Sequence, residues 1–202
     1  MRYYTSPPPG HPVARALIER FDGPVVAPSA NRSGRPSPTT FGDAVEETGA
    51  AAAAALDGGD CQVGLESTVV SLLGDRPRLL RPGSITRDQI EAVAGSLDTD
   101  TTEGHRSPGR LALHYAPEAP VRINAEAARA GEILLGFGPG SGDEHWSLSP
   151  SGDLTEAAAR LFRLLREADR ERPAGIAVAP VPDSGLGEAI NDRLRRATGF
   201  VG

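Results

Sequence analysis

The chain has 202 residues, 39% hydrophobic and 24% charged, with a formal net charge of −6 and a pI near 5.3. That length suits one large domain or two small ones, and the composition is that of an ordered, soluble chain. The acidic balance disfavours a general scaffold for nucleic-acid phosphates, and all 21 basic residues are arginine, which excludes a P-loop because its lysine is missing.

Cys61 is the only cysteine, so no disulfide framework exists, and four scattered histidines lack metal-ligand spacing. No apolar run reaches the ~20 residues of a membrane span, and Met1 to Gly10 lacks a signal-peptide core. A cytoplasmic location is expected.

In chain order, Met1 to Gly10 is an irregular proline-rich lead-in. Val13, Ala16, Leu17 and Phe21 at helical spacing predict a helix over 11–21, packed on a strand at Pro24 to Ala27. Pro28 ends that strand, and a loop rich in Ser, Asn, Gly and Pro follows as far as Thr40. In an extended segment Ser29 and Asn31 share a face and can offer a hydroxyl and an amide to one ligand. Thr39 and Thr40 then open a helix, FGDAVEET, whose first-turn amides could face an anion. A plain surface loop with a helix cap explains the same residues equally well.

Ala50 to Ala55 favours helix by propensity, yet the stretch is short and runs into Gly58-Gly59. Gly64 to Leu73 predicts a β-branched strand, Gly74-Asp75-Arg76 a turn, and Pro77 to Arg81 an antiparallel return. Such a hairpin brings Ser67 and Arg81 towards one end of a sheet; a strand-edge serine and a solvated arginine are the bland reading. Thr86 to Gln89 reads as a capping box, starting a helix through Ile90, Val93 and Ala94 that stops at Gly95. Residues 97–119 have linker composition. Beyond them strands and helices alternate: Val121 to Asn124, a short helix, Glu132 to Phe137, Leu154 to Arg170, Gly175 to Val181 and a final helix, which implies a small α/β domain. Gly136 to Gly142 misses the third glycine of a dinucleotide fingerprint and reads as a plain glycine loop.

Several stretches together resemble a known family. Pro28-Ser29-Ala30-Asn31-Arg32-Ser33-Gly34, continuing to Ser37-Pro38-Thr39, is similar to the nucleotide-binding signature of the YrdC-like L-threonylcarbamoyladenylate synthases. GLESTVV at Gly64 to Val70 and LLRPGSIT at Leu79 to Thr86 follow in the family's order. Ser107-Pro108-Gly109, Leu113-His114-Tyr115-Ala116-Pro117 and Pro182 to Leu194 resemble the linker and C-terminal domain of its long form. With this family in view, Ala50 to Ala55 is expected as a strand.

The resemblance implies an α/β fold: a partial YrdC-like twisted mixed sheet with helices over 1–96, a linker or lid over 97–119, and a small Rossmann-like α/β domain over 120–202. It implies condensation of L-threonine, bicarbonate and ATP to threonylcarbamoyl-AMP and pyrophosphate, feeding a downstream tRNA-modifying threonylcarbamoyl transferase. Ser29, Asn31, Thr39, Arg81 and Tyr115 are then expected at ATP, Ser67 at L-threonine, and Mg2+ with the triphosphate, although no carboxylate cluster marks its ligands. No covalent nucleophile is required, since a carbamate oxygen attacks the α-phosphate. The family's Thr-Val-Tyr-Gly-Leu segment and Lys-x-Arg motif, expected ahead of His11, do not occur in this sequence. A truncated, non-catalytic nucleotide-binding remnant is therefore the alternative, and an RNA-associated partner is disfavoured by charge.

Overall fold

The computed structural model describes residues 11–23, 25–98 and 114–199. The lead-in Met1 to Gly10, Pro24, and the linker residues Ser107-Pro108-Gly109 and Leu113 lie outside the described residues.

Helix α1 spans Pro12–Phe21, with proline in its first turn, where a missing N–H costs nothing. None of its residues is buried. Its expected partner strand is absent among the described residues: 25–29 have no regular structure, and Val26 is 93% exposed. A strand needs a neighbour to satisfy its backbone, and none lies beside this segment.

Helix α2, Phe41–Thr48, starts where Thr40 Oγ1 accepts the Asp43 amide at 3.1 Å. A 3-10 turn at Gly49–Ala51 follows. The strand expected at Ala50 to Ala55 does not form, and residues 52–68 run without regular structure. Strands β1 (Val69–Ser71) and β2 (Arg78–Arg81) make the expected hairpin, with Val69 opposite Arg81. Helix α3, Arg87–Ala94, carries the full capping box between Thr86 and Gln89 and ends at Gly95.

The second half holds most of the core. Strands β3 (Val121–Arg122), β4 (Glu132–Phe137), β5 (Ser147–Ser149) and β6 (Gly175–Val178) form a parallel sheet in the order β3-β6-β4-β5. Strand β5 was not expected, and turns replace the short helix between β3 and β4. Helix α4, Leu154–Arg170, is capped by Asp153, and helix α5 covers Leu186–Ala197. Leu135, Leu148, Leu161, Phe162, Leu165, Ile176, Val178 and Ile190 are buried between sheet and helices. Burying each such side chain contributes roughly 1.5–3 kcal/mol. Among the described residues, no helix is long and apolar enough to cross a membrane.

Candidate functional site

The polar loop between Val25 and Thr40 is held from beneath by a buried ion cluster. Glu47, on the inner face of α2, has a side chain only 1% exposed. It accepts the Arg32 amide at 2.8 Å, Arg32 Nε at 3.1 Å and Arg166 Nη2 at 2.8 Å. Burial alone would raise its carboxyl; the Arg32 amide and the two guanidiniums outweigh burial and hold it at about 2. Arg166, itself buried in α4, also donates to Pro36 O at 2.7 Å. Arg170 extends the seam to Asp43 and Glu46. The helix of the second half thus grips the loop of the first.

Above this seam lies a cavity of about 400 Å³. Its walls include Ser29, Ser37, Thr39, Thr40, Cys61, Glu66 and Phe162. Thr39 is buried, and its carbonyl accepts the Cys61 amide at 2.8 Å. Gly64 lets the floor come close: a Cβ there would stand 2.5 Å from Ala158 O, and its φ is +71°. Only glycine combines that backbone with that approach to α4.

Ser67 and Arg81 meet, as the hairpin requires. Arg81 Nε and Nη2 donate to Ser67 O at 3.1 and 2.8 Å, and Nη2 lies 3.4 Å from Ser67 Oγ. They adjoin the cavity through Glu66, the residue before Ser67, but are not in its wall. Asn31 is turned into its own loop: Nδ2 donates to Arg32 O and Arg35 O, and Oδ1 is buried without a partner. Tyr115 is 2% exposed and packs on Phe162 with ring centroids 5.3 Å apart. Phe162 stands between it and the cavity, so the tyrosine pins the linker to the core in this arrangement. Its φ of +61° is unusual for a non-glycine residue. Burial, then Glu66, raises its phenol, and burial lowers the His114 imidazole, leaving it neutral near pH 7.

Sequence reasoning missed Glu66 and Arg193. Glu66 accepts Ser37 Oγ at 2.7 Å on one oxygen and Arg193 Nε at 2.8 Å on the other. Arg193 is buried, also donates to Pro82 O at 2.9 Å, and lies 5.4 Å over the Tyr115 ring. Among the described residues, Glu66 is the only carboxylate in the cavity wall, and both its oxygens are engaged. These residues therefore do not fit a protein-held divalent cation.

Fold and site define an α/β protein of two closely joined units, with a largely apolar pocket edged by hydroxyls in the first and closed by Phe162 of the second. A family model described as "Threonylcarbamoyl-AMP synthase, C-terminal domain" matches residues 85–199, and one described as "Telomere recombination" matches residues 8–83. The threonylcarbamoyl-AMP synthase of Bacillus subtilis is 37% identical over 95% of this chain and 62% of its own length. That of Pyrococcus abyssi is 34% identical over 95% and 63%, and that of Schizosaccharomyces pombe 32% identical over 96% and 56%. The crystal structure of P. abyssi Sua5 complexed with L-threonine superposes with a TM-score of 0.82 at 33% identity, covering 95% of this chain and 63% of that one. A variant of that protein with a histidine and the following tyrosine changed to alanine gives 0.79 at 32% identity, covering 95% and 62%. The chain belongs to the threonylcarbamoyl-AMP synthase family. It spans less than two thirds of the length of these relatives.

Proposed function

We propose that this chain supplies the nucleotide and threonine pocket of a threonylcarbamoyl-AMP synthase. In the reaction, the L-threonine amine and bicarbonate give a carbamate with loss of water. A carbamate oxygen then attacks the α-phosphorus of ATP, the bond to the β-phosphate oxygen breaks, and pyrophosphate leaves. The protein's task is positioning and charge neutralisation. In this reading Ser29, Thr39 and the first turn of α2 hold the nucleotide. Ser67 holds L-threonine, Arg81 turns from Ser67 O to phosphate, and Asn31, which bonds its own loop, would have to turn outward for its Oδ1 to meet the nucleotide. Tyr115, behind Phe162, fastens its own stretch of the linker to the core beneath the pocket wall. Mg2+ travels with the triphosphate, and the product passes to a tRNA-modifying transferase.

The observation that carries this reading is the meeting of the loop, through Ser29 and Thr39, with the segment Gly64 to Glu66, which leads directly into Ser67, around one cavity. The test is pyrophosphate release by the purified chain with ATP, Mg2+, L-threonine and bicarbonate, each omitted in turn. Cys61 lines the same cavity, so ATP should slow its alkylation. Release that requires all four components is expected. Protection of Cys61 without pyrophosphate release would instead identify a nucleotide-binding remnant.

A further inference from the structure

Arg193 is a buried cation whose position makes sense only in relation to the other unit. It projects from α5, yet its partners lie on the hairpin and its flanks: Glu66 Oε2 at 2.8 Å and Pro82 O at 2.9 Å. Those acceptors are the immediate neighbours in sequence of Ser67 and Arg81. Its guanidinium also faces the Tyr115 ring, and Asp192 on its own helix balances part of the charge at 2.6 Å. Through Glu66 the chain of bonds reaches Ser37 Oγ in the cavity wall. The planar fork fits this role because Nε and Nη1 serve two acceptors in fixed geometry, which an ammonium cannot reproduce. A Cβ at Gly83 would collide with Glu66 O, so the two flanks are already pressed together at this point.

Building on the functional reading above, we propose that Arg193 is a positioning residue. By holding Glu66 and Pro82 at once, it sets the separation of Ser67 and Arg81 and so lets the C-terminal unit determine affinity for L-threonine. Ser29 and Thr39, across the cavity, do not depend on it directly.

The experiment compares the chain with Arg193→Met, Arg193→Lys, Glu66→Gln and the double variant E66Q/R193M. L-threonine and an unhydrolysable ATP analogue are titrated by calorimetry, with amide hydrogen exchange followed over residues 66–69 and 81–83. Arg193→Met should weaken L-threonine by about tenfold or more, the scale set by one buried charge-assisted hydrogen bond, while the analogue weakens by no more than about threefold. Arg193→Lys should recover part of the affinity. The double variant leaves no unpaired buried charge, so its thermal midpoint should rise above that of Arg193→Met while L-threonine affinity stays low. A role confined to stability would restore both, and that result overturns the proposal. Failure of the parent chain to bind either ligand refutes the functional reading. The exchange data still judge the positioning step, which is overturned if protection at 66–69 and 81–83 is unchanged in Arg193→Met.

Discussion

Glu47→Gln replaces the carboxylate at the centre of the seam between the two units with a neutral amide, so one of its two accepting oxygens becomes a donor. The side chain is 1% exposed and its partner Arg166 5% exposed, so the substitution strands a guanidinium out of water. Breaking a buried pair from one side costs about 3–5 kcal/mol. The Arg32 side chain, 65% exposed, adds little because water screens it. A domain of this size has on the order of 5–15 kcal/mol of stability in all, so the loss should be plain in a urea titration. Trp146, the single tryptophan, reports on the second unit by fluorescence, and far-UV circular dichroism reports on both. The partner experiment is E47L/R166M, which removes both members of the buried pair and leaves, of the cations around Glu47, only the exposed Arg32 and the partly exposed Arg35, the latter still paired with Glu118 and Asp169. Its cost should be no more than about 2 kcal/mol, mainly from the Arg32 amide and Pro36 carbonyl that lose their partners. A loss under about 1 kcal/mol in Glu47→Gln, or a double variant as unstable as the sum of the singles, would refute the account of the seam.

Gly64→Ala should destabilise by about 2–5 kcal/mol, combining a left-handed backbone with overpacking against the α4 backbone; a thermal midpoint within experimental error of the parent would contradict the close approach. Leu161→Ala, at a fully buried position in α4, should cost about 2–5 kcal/mol by the same urea titration. Acid should loosen the seam. Glu47 is held at about 2 against an ordinary 4.5, so its stabilisation is complete above 4.5 and disappears as pH falls towards 2. The denaturation midpoint should fall across that window, and Glu47→Gln should remove this component of the fall.

The parts legible in the sequence are those fixed by local chemistry. Thr40, Thr86 with Gln89, and the hydrophobic spacing of α4 act within a turn or two, so their helices form where the residues say. The hairpin was legible because a β-branched run, a Gly-Asp turn and a return strand are contiguous. Val25-Val26 and Ala50 to Ala55 misled because a strand depends on a neighbour that no local pattern supplies. Strand β5 escaped because Ser147-Leu148-Ser149 is short and polar in two positions of three. The two buried arginines had a signal that went unused. Arg166 follows Ala158 and Phe162 at intervals of four on the apolar stripe of α4, and Arg193 stands between Ala189 and Ala197 on α5. A cation repeating in phase with core residues points to a carboxylate on the facing element.

The seam has a chemical asymmetry. Every cation in it is a guanidinium rather than an ammonium, and the sequence offers no lysine in exchange. Alkaline solution, which unlocks assemblies clamped by lysine, therefore finds no ammonium to discharge among the described residues of this seam. Within this cluster, the groups that pH can switch are the carboxylates, Glu47 first among them.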